Sequence, residues 1–234
     1  MLFSGLGVDA RLVQAQRPIA ADIEVPPWIA QAADESLASY ARRFAQLLDW
    51  SRPAFVGGIS FGGMVAQEVA RHVPALGLVL LATCRSASEI PLPYRVACHV
   101  GRHTPTWIIG SSRMVATRLK GLMGLVPSEH LAWFDAMIAD TDPAFLKWAA
   151  GAMLGWRGAG ELRPPTIHVQ GTRDLILPAR LTSPTHRIVQ AGHLANVTHA
   201  AKVNGIVQRF MEEVASQHVD ARPLVPSPKG RGLG

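Results

Sequence analysis

Along the chain, short apolar runs alternate with longer stretches whose apolar residues recur every three or four positions. "MLF" opens the chain and leads into "SGLG". "PIAADIEVP", residues 18–26, reads as a strand, and "DESLASYARRFAQLLDW" after it reads as a helix that opens on an Asp34 cap. "AFVGGIS" is the next strand, "FGGMVAQEVARHV" a helix, and "ALGLVLLAT" a strand rich in Val and Leu. This alternation predicts the α/β class, a doubly wound, mostly parallel sheet with helices on both faces. From about residue 85 to 163 the rhythm turns helical, with Trp107, Trp133, Trp148 and Trp156 interspersed and no convincing strand. Strands return in "PTIHVQGTRD" and "THRIVQAGH", and the long amphipathic "NVTHAAKVNGIVQRFMEEVASQ" follows. A helical insertion between two sheet segments predicts a lid over the carboxyl ends of the strands. Residues 1–217 are expected to form a single domain. The Pro/Gly-rich residues 218–234 have no periodic apolar face to bury and are expected to form a disordered tail.

Composition narrows the class without changing it. A chain of 234 residues is large enough for a full α/β core, and 48% hydrophobic against 17% charged residues suits strands buried on both faces. No apolar run approaches the ~20 residues of a membrane span, so no membrane partner is expected. The start of the chain, "MLFSGLGVDARLVQ", lacks a basic segment followed by an apolar one; no secretory signal is read there, and the expected location is cytoplasmic. Cys84 and Cys98 have no metal-ligand spacing and are expected to be reduced, structural thiols. The net charge of +6 comes from scattered basic residues, several of them in the tail, which predicts a solubilising surface and no nucleic-acid partner.

Chemistry enters at "GISFG", residues 58–62, which matches G-x-S-x-G. With 21 glycines in the chain, chance supplies roughly 0.1 such match, so the pattern gains its weight from context. It directly follows a strand and opens a helix, as a nucleophile elbow requires: a sharp turn that exposes a serine, with glycines two residues either side where a side chain would collide. The competing reading is a glycine-rich turn with an idle Ser60. Asp174 ends the run "TIHVQGTRD" at the carboxyl edge of a strand, where open α/β sheets place their sites. His193 in "IVQAGHLAN" follows the next strand. Alone, each also fits an ordinary loop residue; together with Ser60 they stand in the order Ser, Asp, His. A serine hydroxyl is a weak nucleophile until a histidine takes its proton, and a carboxylate then fixes the imidazole tautomer. The elbow itself would supply one oxyanion donor, the backbone N–H of Phe61.

Through "GISFGG", "HVQGTRDLILP" and "VQAGH", over roughly residues 1–215, the chain resembles the α/β-hydrolase superfamily, in particular its small lid-bearing serine hydrolases. The resemblance implies catalytic Ser60, Asp174 and His193, a small-molecule acyl substrate, and no metal or other cofactor. It also implies a second oxyanion donor in the loop after the first strand, where members carry a His-Gly pair; here "FSGLG" puts Ser4 in place of the histidine and Leu6 at the donor position. Members usually have two antiparallel strands before this loop, whereas this chain begins almost on it: either it is a minimal version, with "MLF" a stub of a central strand in a sheet of at most six, or its start is missing. Glu89 is the alternative acid, because some members place it after the third strand. The expected activity is hydrolysis of an ester, thioester or small amide through an acyl-enzyme. Two other classes stay open: a non-hydrolytic enzyme on the same fold (acyl transfer, C–C cleavage or a lyase step), and a binding protein without turnover. His72 suits the C-terminal end of the elbow helix, while His99 and His103 lack the carboxylate or thiolate partners that a metal would need.

Overall fold

The computed structural model describes residues 1–111 and 130–220. Five strands, β1 (Leu2–Phe3), β2 (Ala54–Ile59), β3 (Ala75–Leu81), β4 (Thr166–Gly171) and β5 (His186–Ile188), lie side by side in chain order. Every pairing is parallel, with Gly57 opposite Val79, Leu80 opposite His168 and Gln170 opposite Arg187. The helices are α1 (Leu37–Gln46), α2 (Phe61–Val69), α3 (Leu92–His103), α4 (Thr106–Ser111), α5 (His130–Ala139), α6 (Pro143–Gly155), α7 (Ala179–Thr182), α8 (Ala195–Thr198) and α9 (Ala200–Asp220). Short 3-10 helices occupy Ala10–Ile19 and Ala87–Glu89.

The sheet is buried on both faces, which accounts for the low charge of its strands. Along β3, Leu78 and Leu80 point to one side and meet Tyr40 and Phe44 of α1 and Val65 and Val69 of α2. Val79 and Leu81 point to the other and join Val203, Val207, Phe210 and Val214 of α9 with Leu12 and Val13 of the first 3-10 helix. In α1 the buried residues Leu37, Tyr40, Ala41, Phe44 and Ala45 fall at the helical spacing that the sequence predicts. Its cap is Ser36, whose hydroxyl accepts from the N–H of Ser39, and not Asp34, which sits two residues upstream in a left-handed conformation.

Several expectations are corrected. Residues 18–26 do not form a strand. The 3-10 helix takes the segment up to Ile19 and irregular chain follows, joined to β1 by a backbone bond from Leu2 N to Glu24 O of 2.8 Å. Pro18, Pro26 and Pro27 have no N–H to donate, so this stretch cannot sustain a ladder. As a result β1 is the edge strand of the sheet and not a central one. The long stretch from Asn196 breaks at His199 into α8 and α9, and α9 continues to Asp220, past the expected end of ordered chain at Gln217. The rest of the expected tail, residues 221–234, lies outside the described residues.

Between β3 and β4 the described residues are helical and contain no strand. Residues 112–129 of this insertion and the Trp133 side chain lie outside the described residues. Its helix α6 is tied to the sheet domain by indole hydrogen bonds, Trp148 Nε1 to Glu35 O at 2.8 Å and, just after the helix, Trp156 Nε1 to Glu68 Oε1 at 2.7 Å. Trp107 is exposed. Among the described residues no helix is long and apolar enough to cross a membrane.

Candidate active site

Ser60 joins β2 to α2 with φ 54° and ψ −120°, a left-handed backbone that side-chain-bearing residues rarely adopt. The turn is held in place from three sides. Ser60 N donates to Leu81 O at 2.9 Å, Gly63 N donates to Ser60 O at 2.9 Å, and Thr83 Oγ1 donates to the same oxygen at 2.6 Å. The glycines either side of it are required by close approach. A Cβ on Gly58 would collide with the backbone of Gly62, and one on Gly62 would collide with the carbonyl oxygens of Phe3 and Ser4.

His193 lies in the loop after β5, and its Nε2 is 3.0 Å from Ser60 Oγ. Its Nδ1 is 2.8 Å from Asp174 Oδ2. A carboxylate oxygen only accepts, so Nδ1 carries the proton, Nε2 presents its lone pair, and the Ser60 hydroxyl donates to it. Asp174, in the loop after β4, is 3% exposed and His193 2%, so this line of bonds is almost fully withdrawn from water. Asp174 Oδ1 accepts from the N–H groups of Ile176 and Leu177, each at 2.9 Å. The three residues singled out from the sequence thus meet in one hydrogen-bonded line at the carboxyl ends of β2, β4 and β5.

The remaining expected residues are placed as follows. Phe61 opens α2, where first-turn N–H groups have no helical acceptor, and its ring is buried against Trp28, Phe145 and Trp148. Leu6 lies in the turn after β1, whose backbone at Phe3 and Ser4 abuts Gly62. Ser4, which replaces the expected histidine, anchors that turn by donating from Oγ to Val8 O at 2.9 Å. Glu89 does not join the line: its carboxylate accepts from the backbone N–H of Arg85 at 2.7 Å, and burial pushes its pKa up. Tyr94 of α3 stands near Asp174, and its hydroxyl is pushed up by burial and by that carboxylate. His72 is exposed beyond the end of α2. His99 and His103 stack edge to face at 5.2 Å, and His103 Nε2 accepts from Arg102 Nε at 2.9 Å. Among the described residues no three His, Cys, Asp or Glu side chains group in a way that could hold a metal ion. Cys84 is a buried free thiol, pushed up to about 12 by burial, and Cys98 is a free thiol also raised by burial.

Reading of the sequence missed three polar residues behind this line: Gln170 and His168 of β4, both fully buried, and Thr83 at the end of β3. A signal existed, since "TIHVQG" places Thr166, His168 and Gln170 two apart, hence on one face of a strand whose other face carries Ile167 and Val169.

No family model matches the chain. A poly(3-hydroxyalkanoate) depolymerase of Ectopseudomonas oleovorans is 24% identical over 251 residues, covering 91% of this chain and 84% of that protein. Among solved structures, MenH from S. aureus superposes with a TM-score of 0.73 at 16% identity, covering 92% of this chain and 93% of its own. The malate-bound esterase from Thermogutta terrifontis gives 0.65 at 20% identity, covering 91% and 89%. The N-acyl homoserine lactonase AidH, complexed with N-butanoyl homoserine, gives 0.69 at 18% identity, covering 91% and 88%. A parallel sheet flanked by helices on both faces, a strained serine turn between β2 and α2, and this agreement along most of the chain lead to one conclusion: the protein has the α/β-hydrolase fold.

Proposed function

We propose that this protein is a serine hydrolase that cleaves a carboxylic ester, a thioester or a small amide through an acyl-enzyme. The observation that carries the reading is the buried line from Ser60 Oγ through His193 to Asp174 Oδ2, with steps of 3.0 and 2.8 Å. In the first half of the reaction His193 Nε2 takes the Ser60 proton as Oγ attacks the acyl carbon, and Asp174 stabilises the imidazolium that results. The oxyanion is held by the N–H of Phe61 and that of Leu6, each such donor contributing on the order of 10²–10³ in rate. Collapse breaks the bond to the leaving group, which departs with the proton from His193. Water then attacks the acyl group on Ser60, with His193 again as base, and the carboxylic acid leaves.

The relatives support an ester as the bond attacked, since two of the proteins named above are an esterase and a lactonase and a third is a depolymerase. We read the described helices between residues 85 and 163 as a lid over the site, with Tyr94 feeling the charge of Asp174, and the partner as a small acyl compound.

The test is covalent labelling by a fluorophosphonate together with hydrolysis of p-nitrophenyl esters of graded chain length. Labelling is expected at Ser60, and Ser60→Ala lowers turnover by on the order of 10⁴ to 10⁶ with folding unchanged. Absence of labelling, or more than about a tenth of the activity left in Ser60→Ala, overturns the reading.

A further inference from the structure

Behind Asp174 the hydrogen bonds continue into the sheet and return to the serine. Gln170 Nε2 donates to Asp174 Oδ2 and to the carbonyl of Leu177 at 2.6 Å. Both neighbours only accept, which fixes the amide orientation and leaves Gln170 Oε1 facing His168 Nε2 at 3.2 Å. The same His168 nitrogen is 3.1 Å from Thr83 O. It too has two acceptors in front of it, so it carries the proton. Thr83 Oγ1 in turn donates to Ser60 O. The circuit Ser60, His193, Asp174, Gln170, His168, Thr83, Ser60 is therefore closed, and it spans the ends of four strands, β2 to β5.

The two oxygens of Asp174 have different tasks in this circuit. Oδ1 is held by the N–H groups of Ile176 and Leu177, and these suffice to shape the turn. Oδ2 faces His193, and the other donor to it is the Gln170 amide. The amide therefore determines where Oδ2 lies and how much of its lone-pair density is left for the histidine. His168 is kept at a cost to the fold, since its buried Nδ1 has no hydrogen-bond partner among the described residues. An apolar residue would fill that position more favourably if the ring had no further task.

We propose that Gln170 is a positioning residue for the reaction given above, holding Asp174 Oδ2 against His193, while His168 locks the Gln170 amide and Thr83 closes the circuit onto the Ser60 turn. The inference rests on the serine-hydrolase reading. The titratable groups facing the circuit from its surroundings are Tyr94 of α3, which feels the charge of Asp174, and Arg85, which feels His168.

The experiment compares the unmutated full-length protein with Gln170→Met and Gln170→Glu, using p-nitrophenyl butyrate and fluorophosphonate inactivation. In Gln170→Met the side chain keeps its length and loses both amide contacts. Expected is a fall in kcat of about tenfold to a hundredfold with KM within about threefold. The acid-side limb of kcat/KM moves to higher pH, because Oδ2 no longer shares its density with an N–H and holds the proton of His193 more strongly. Gln170→Glu sets a carboxylic acid against Asp174, so that the pair shares a proton; its O–H is a stronger donor to Oδ2 than the amide, and the limb moves to lower pH. Kinetics and pH limb unchanged in either folded variant overturn the proposal. Should neither variant fold, the unmutated protein decides: side-chain amide protons of Gln170 that exchange with solvent as fast as those of an exposed glutamine overturn it, and slow exchange with a downfield Nδ1 proton on His193 supports it. If Ser60 is labelled and essential while Gln170→Met behaves as unmutated, this inference alone fails. If Ser60 is dispensable, the hydrolase reading and the inference fall together.

Discussion

Ser60 is held in a backbone conformation that only its neighbours make tolerable, with φ 54° and three backbone or side-chain bonds on its peptide groups. Strain of this kind costs on the order of 1–3 kcal/mol, and here it leaves Oγ aimed at His193 Nε2. The carboxylate that meets His193 is set at the same scale. Asp174 meets His193 Nδ1 at 2.8 Å, whereas Glu89 spends its carboxylate on the N–H of Arg85. Asp174→Asn is therefore expected to lower kcat/KM by on the order of 10⁴, since an amide that donates to Nδ1 stabilises the wrong tautomer. Glu89→Gln keeps an acceptor for Arg85 and is expected to stay within about threefold. Steady-state kinetics on the two variants check this, and the reverse ranking would place the acid after β3.

At the scale of the elements, the strand-turn-helix unit of β2 and α2 depends on the absence of two side chains. Gly62 lies against backbone oxygens of Phe3 and Ser4, which cannot step aside as a flexible side chain can. Gly62→Ala is expected to destabilise the fold by about 1–3 kcal/mol or more and to disturb the turn that carries Leu6. Gly101 in α3 offers the contrast: a Cβ there meets its nearest neighbour, the Ala150 Cβ, at 4.0 Å, an ordinary contact. Gly101→Ala is expected to raise stability by about 0.5–1 kcal/mol through helix propensity alone. Denaturant unfolding of both variants checks the pair, and equal effects would mean that the approach of β1 to the elbow is looser than these contacts imply. The G-x-S-x-G spacing made the need for glycine at Gly58 and Gly62 legible in advance, but only the collision of Gly58 with Gly62 is one between residues four apart; that of Gly62 is with another strand. The candidate strand at residues 18–26 was not legible. Its composition suits a strand, but strand formation also needs a matching row of donors and acceptors, and Pro18 and Pro26 within it and Pro27 beside it break that row.

For the molecule as a whole, His168 couples the stability of the fold to pH. Burial, with a smaller contribution from Arg85, lowers its pKa from 6.5 to about 4. The unfolded chain therefore binds a proton between those two values that the folded chain refuses. Stability is unaffected by this group above pH 6.5 and is lost as pH falls from there toward 4, by up to about 3 kcal/mol. The carboxylates add their own acid dependence in every variant, so the comparison is with His168→Gln. Unfolding free energies measured at several values between pH 7 and 4.5 should fall more steeply for the unmutated protein than for His168→Gln. Parallel curves would show that the histidine is not buried as described.

The sequence by itself determined what is written locally: the alternation of strand and helix, the strained serine turn, and the three residues Ser60, Asp174 and His193 at the ends of their strands. Each of these rests on side chains within a few residues of one another, where periodicity and sterics act directly. The edge position of β1, which of Asp174 and Glu89 lies against His193, and the circuit through Gln170, His168 and Thr83 were decided only by the tertiary structure. They depend on which residues the parallel register sets opposite each other, and Leu80 faces His168, a residue 88 positions further along the chain. No local pattern encodes that distance. It emerges when two apolar faces bury themselves against one sheet and bring β3, β4 and β5 into a single row.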